Sequence, residues 1–115
     1  MRKSLGIIAV LLGASSAAAQ VDPSFAQCAA CHTVAPNQNR LGPTLYKIVG
    51  RPKASVPGFA YSPAMKAQKG SWTEAELNAY ISNPGAKVPG TRMVYPGMAD
   101  AAKRARLIAW LKGVK

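Results

Sequence analysis

The sequence predicts an all-α fold in which a few short helices are joined by long ordered loops. Three observations carry that expectation. Side chains able to cap a helix stand repeatedly at the start of helical patterns. No stretch shows a convincing strand pattern. Ten Gly and nine Pro among 115 residues commit much of the backbone to turns and loops.

The first twenty residues stand apart from that fold. Met1-Arg2-Lys3 gives a positive start, Leu5 to Ala14 an apolar run, and Ala17-Ala18-Ala19 a small-residue cleavage site before Gln20. Together they read as a secretory signal peptide, and the apolar run is too short to span a bilayer. Residues 1–19 are expected to be cleaved, leaving one exported domain over 20–115. Arg2 and Lys3 leave with the signal, so the formal charge falls from +11 to +9.

Asp22-Pro23 pairs a capping side chain with a proline at the first turn, and starts a short helix through Phe25 into a cysteine segment. From Thr33 to Ala60, Pro36, Gly42-Pro43, Gly50, Pro52 and Pro57-Gly58 break the chain into an ordered wrapping loop. Ser62-Pro63 starts a second short helix that Gly70 is expected to stop. Thr73-Glu74-Ala75-Glu76 has capping-box spacing ahead of Leu77, Tyr80 and Ile81 at helical intervals, and Asn83-Pro84-Gly85 ends that helix. A second proline-rich loop runs to about Met98. From Asp100 an amphipathic helix places Leu107, Ile108, Trp110, Leu111 and Val114 on one side. A stripe of this kind can bind a membrane or a partner, but on a small domain it is normally core.

A domain this small buries only roughly 60% of its unfolded surface and often needs a staple. The two cysteines, Cys28 and Cys31, would close too small a loop for a disulfide to help much. A bound cofactor is the better candidate for a core. Cys28-Ala29-Ala30-Cys31-His32 is the attachment signature of c-type haem. On one helical turn, two thiols three residues apart reach the two vinyl groups of the porphyrin, and the adjacent imidazole falls beneath the iron. A thioredoxin-like Cys-x-x-Cys belongs at a strand-to-helix junction, and no such strand is visible. Zinc usually takes four ligands, against two Cys, one His and four scattered acids here.

The sixth iron position cannot come from a second histidine, because His32 is the only one. Lysine is possible but hard to reconcile with its affinity for protons and water. The methionines of the mature chain are Met65, Met93 and Met98. A methionine is more often a flexible core filler than a ligand, but Met93 has the better case. It lies in Pro89-Gly90-Thr91-Arg92-Met93-Val94-Tyr95-Pro96-Gly97, an irregular segment able to present one side chain inward.

These motifs, with Gly42-Pro43-Thr44-Leu45, Gly50-Arg51, Pro57 to Ser62, Trp72 and Leu107 to Lys112, make the mature chain resemble the class I cytochrome c family. The likeness is to its mitochondrial and bacterial periplasmic electron carriers, and it runs in order along nearly the whole mature chain. The resemblance implies the class I fold wrapped around one haem c, bound through Cys28 and Cys31. It implies His32 and Met93 as axial ligands, with the Pro43 carbonyl receiving the other ring N–H of His32. Arg51, Tyr61 and Trp72 match positions that hydrogen-bond the haem propionates. Tyr80 matches a position near the Met93 sulfur, and Tyr95 one that covers a haem face or edge.

The function so implied is single-electron shuttling in the periplasm, not enzymatic catalysis. A thioether opposite an imidazole favours ferrous iron and raises the potential. The other reading is a haem enzyme or gas sensor in which Met93 detaches. The cationic surface points to acidic docking patches on redox proteins: a quinol-oxidising complex, a terminal oxidase, a reaction centre or a periplasmic dehydrogenase. Arg92, Lys87 and Arg40 are expected on the basic rim. Nucleic acid and stable membrane insertion are not expected, and the chain is read as a monomer. Three departures from the family stand out: Phe25 is three rather than four residues before Cys28, Gln27 replaces a frequent lysine, and Met65 replaces a frequent asparagine.

Overall fold

The computed structural model describes residues 21–115 and, of the first twenty, Gly6 alone; the expected signal peptide at 1–19 lies outside the described residues. A 3₁₀ turn at Pro23–Phe25 is followed by α1 (Pro63–Lys66), α2 (Glu74–Ser82), α3 (Pro84–Lys87) and α4 (Ala101–Lys112). Among the described residues there is no strand, only an isolated bridge between Pro52 and Ser71. The all-α expectation holds.

Local chemistry accounts for the helix starts. The side chains of Asp22, Ser62, Thr73 and Asp100 each accept a hydrogen bond from a backbone N–H of the first turn, satisfying donors that would otherwise be orphaned. The box at Thr73 forms only by half. Thr73 Oγ1 accepts from the Glu76 N–H at 3.1 Å, but the Glu76 carboxylate turns to Lys87 Nζ at 2.6 Å and Lys53 Nζ at 3.5 Å. Two charges outcompete one neutral backbone donor for it.

Two expectations need correction. α1 ends at Lys66, short of Gly70, which instead turns the chain back with its carbonyl accepting from the Lys53 N–H at 3.0 Å. The stretch after Asn83 is not loop from its start. Asn83 closes α2 and caps α3, its Oδ1 accepting from the Ala86 N–H at 3.2 Å with Pro84 in the first turn. This is the cap–proline chemistry already seen at Asp22-Pro23.

The core lies where α4 crosses α2 and the N-terminal turn. Leu107, Ile108 and Leu111 of α4 are buried with Leu77, Tyr80 and Ile81 of α2, each fully covered aliphatic side chain contributing about 1.5–3 kcal/mol. The α4 stripe is therefore core, and no helix among the described residues is long and apolar enough to cross a membrane. Phe25, despite its shifted place, is 3% exposed and stacks on Trp110 with ring centroids 5.1 Å apart. A 3₁₀ start, tighter than an α-helix, still delivers that ring to α4.

Candidate functional site

Helical turns continue through the cysteine segment. The N–H of Cys28 bonds the Phe25 carbonyl at 2.8 Å and that of His32 bonds the Cys28 carbonyl at 2.9 Å. Both thiols are free and half-buried, and burial, reinforced by Cys31, pushes the Cys28 thiol up. The chain then folds back beneath His32. The Gly42 N–H bonds the Cys31 carbonyl at 2.9 Å, and the Leu45 N–H bonds the Thr33 carbonyl at 2.8 Å. Thr44, itself buried, donates its hydroxyl to the Ala35 carbonyl at 2.6 Å.

This backbone fixes the imidazole. His32 Nδ1 lies 2.7 Å from the Pro43 carbonyl, which can only accept, so Nδ1 carries the proton and Nε2 keeps its lone pair. Burial holds the His32 pKa below its ordinary value, against the raising effect of the Pro43 bond; the neutral form that ligates metal is favoured. A Cβ on Gly42 would stand 2.3 Å from His32 Cε1. Only hydrogen fits there.

Arg51 donates from Nη1 to the carbonyls of Thr44 and Tyr46, both at 2.9 Å, while its buried Nε has no partner. Tyr61 accepts from the Val56 N–H at 3.0 Å, which leaves its own hydroxyl hydrogen available. Trp72 is buried between the Tyr80 ring, 5.2 Å away, and Lys53, whose Nζ sits 5.0 Å from the indole centroid.

On the other side, residues 91–100 have no regular secondary structure, and the segment is pinned at points. Tyr80 and Thr91 share a hydroxyl hydrogen bond of 2.7 Å, and Thr91 Oγ1 accepts from the Met93 N–H at 3.3 Å. Tyr80 thus reaches Met93 through Thr91, and burial raises its pKa despite that bond. Arg92 bonds the Ala60 carbonyl at 3.2 Å. Tyr95 donates its hydroxyl to Gln27 Oε1 at 2.7 Å. At the far end the Met98 N–H bonds the Ile81 carbonyl, and Arg104 Nη1 bonds the carbonyls of Met98 and Ala99. Gly97 has φ +117° with Ser82 O at 2.1 Å from where its Cβ would be, so the loop turns directly on the end of α2.

Of the three methionines, Met98 is 4% exposed in the helical core and Met65 9% on α1. Met93 is half-buried on the pinned loop. Arg40 donates to the Ala29 carbonyl beside the cysteines. Lys87, expected on the basic rim, is bound to Glu76 at 2.6 Å, so that carboxylate offsets part of its charge. Sequence reasoning missed the Lys53–Glu76–Lys87 cluster, the Arg104 grip and the Tyr95–Gln27 bond. The first and last join different segments of the chain, while the Arg104 grip spans only five and six residues; no periodic pattern announces any of them.

The donor set fits a c-type haem. A neutral imidazole with its outer nitrogen fixed, two free thiols on one helical turn, and an orphaned buried guanidinium N–H match a ring that brings an iron, two vinyls and carboxylates. Among the described residues no group of three or more His, Cys, Asp or Glu could hold a bare metal ion.

Comparison with known proteins agrees. The family model described as Cytochrome c matches residues 18–115. The chain is 40% identical to cytochrome c2 of Blastochloris viridis over 97% of this chain and 93% of that one. It is 43% identical to cytochrome c2 of Rhodomicrobium vannielii over 90% and 87%. The solved structure of cytochrome cH from Methylobacterium extorquens is similar with a TM-score of 0.73 and 41% identity, covering 77% of this chain and 90% of that one.

Proposed function

The chain belongs to the cytochrome c family, and from that premise we propose that it shuttles single electrons between redox partners in the periplasm, with His32 and Met93 as axial ligands. The family carries electrons rather than catalysing reactions, and Cys28 and Cys31 hold one haem c. When bound, that group supplies an iron that alternates between ferric and ferrous states.

The chain's own residues do the rest. Pro43 holds the His32 tautomer and sharpens its basicity. Arg51, Tyr61 and Trp72 provide donors for propionates that would otherwise be costly beside an apolar ring. Tyr80 positions the Met93 backbone through Thr91. With His32 and Met93 holding the iron, external ligands would bind only if Met93 left, and little would rearrange as charge came and went, which suits transfer.

The observation that carries this reading is the pairing of a neutral, backbone-fixed His32 with a half-buried Met93 on a separately pinned loop. The test is optical. The ferric protein should show the far-red charge-transfer band of iron–thioether ligation, and Met93→Ala should lose it. A parent protein without the band, or a Met93→Ala variant that keeps it, overturns the ligand assignment.

The partners are proposed to be acidic redox proteins such as a quinol-oxidising complex, a terminal oxidase, a reaction centre or a periplasmic dehydrogenase. Thirteen cations against four acids over residues 20–115 support this, and three of the acids, Asp22, Glu74 and Glu76, are already in ion pairs. Transfer to an acidic partner should slow as salt rises; a flat profile contradicts the docking account. Export through a cleaved 1–19 segment is checked by the N-terminal residue of the periplasmic protein, expected to be Gln20.

A further inference from the structure

We propose that the Tyr95–Gln27 hydrogen bond is a clasp that holds the Met93 segment shut against the haem-attachment segment and sets how fast Met93 leaves the iron. The inference rests on the assignment of Met93 as a ligand.

Tyr95 follows Met93 by two residues, and Gln27 immediately precedes Cys28. Their side chains meet at 2.7 Å across a sequence separation of 68. One bond thus joins the segment bearing the sulfur ligand to the segment bearing both thioethers and the imidazole.

The middle of the loop has little else to hold it. It has no regular secondary structure, and Val94, between Met93 and Tyr95, is 100% exposed. The firm pins stand at the two ends: Thr91 at the start, and Gly97, Met98 and Arg104 at the finish. Arg92 bonds the Ala60 carbonyl, not the cysteine segment. Closure toward the cysteine side falls to Tyr95. The acceptor depends on the glutamine at position 27, since a lysine there has no oxygen to accept the phenol hydrogen.

An exposed neutral hydrogen bond between side chains stands at the low end of such contributions and changes an opening equilibrium by about two- to threefold. The experiment uses the ferric holoprotein and imidazole as external ligand, with stopped-flow rates at saturating imidazole, where departure of Met93 limits the reaction. Tyr95→Phe keeps the ring and removes the hydroxyl; Gln27→Leu removes the acceptor. Each should bind imidazole about two- to threefold faster than the parent, while retaining the far-red band at neutral pH. The double variant should be no faster than either single, because both break the same bond. Gln27→Glu, which keeps an acceptor oxygen, should stay near the parental rate.

Rates equal to the parent's, multiplying effects in the double variant, or a Gln27→Glu as fast as Gln27→Leu would overturn the clasp. These outcomes differ from failure of the underlying assignment. If the parent lacks the far-red band, Met93 is not the ligand and the clasp falls with it; if the band is present and the variants bind at the parental rate, only the clasp falls.

Discussion

The two walls of the site are built differently. The His32 wall is made of continuous backbone: helical turns from Asp22 to His32, a returning segment hydrogen-bonded to it at Cys31 and Thr33, and a glycine pressed against the imidazole. The Met93 wall is a loop suspended between pins, most of them single side-chain bonds. The difference teaches where this protein can yield. A disturbance on the first wall has nowhere to go, whereas one on the second can be relieved by the loop swinging outward.

The sharpest way to break that comparison is a pair of glycine substitutions with matched steric insult. Gly42→Ala drives a methyl into His32, and Gly97→Ala drives one into the Ser82 carbonyl at a left-handed φ. Both should cost about 3 kcal/mol or more as overpacking. Gly42→Ala should lower the yield of haem-loaded protein and its denaturant midpoint together. Gly97→Ala should keep the haem attached while losing the far-red band. The reverse pattern would show that the walls do not differ as described.

An effect of similar size sharpens the first wall. Phe25→Ala empties a fully buried place against Trp110 and should lower unfolding free energy by about 3–5 kcal/mol, read by denaturant melts. The far-red band of its folded fraction should be unchanged. On the second wall, Tyr80→Phe deletes one half-buried hydrogen bond to Thr91, with an expected loss of about 1 kcal/mol. Here the band should weaken more than the melt moves.

The smallest effect concerns acid. Lys87, by its hydrogen bond first, and Lys53 hold the Glu76 carboxyl below the usual carboxylate range, and Lys87 closes α3 just ahead of the Met93 loop. Because the folded pKa is depressed, this contribution is present above the unfolded value of about 4.3 and is lost as pH falls through the folded one. Glu76→Gln should therefore be less stable than the parent at neutral pH, with the gap closing as the solution is acidified. A gap that widens in acid would contradict the ion-pair account.

Much of this architecture is legible in the sequence. Cap–proline pairs mark the starts at Asp22 and Ser62, and the capping threonine that of α2, because a helix terminus must satisfy its own donors within a few residues. The same rule applies to α3 at Asn83-Pro84, but there the signal that begins one helix coincides with the signal that ends another, and the ending masks the start. Cys28, Cys31 and His32 are legible because attachment chemistry fixes their spacing along one helical turn. That Lys87 pairs with Glu76 is not legible, because the two lie on different helices and no local spacing joins them.

By itself, then, the sequence determined what is local: the helix starts, the turns, the thiol–imidazole spacing, and an apolar stripe on α4 awaiting a neighbour. Only the tertiary structure decided which neighbour that was, that a displaced Phe25 still finds Trp110, and that Tyr95 meets Gln27. Backbone hydrogen bonds and dihedral limits act over a few residues and leave a periodic trace, whereas contacts across dozens of residues arise only when packing brings the segments together.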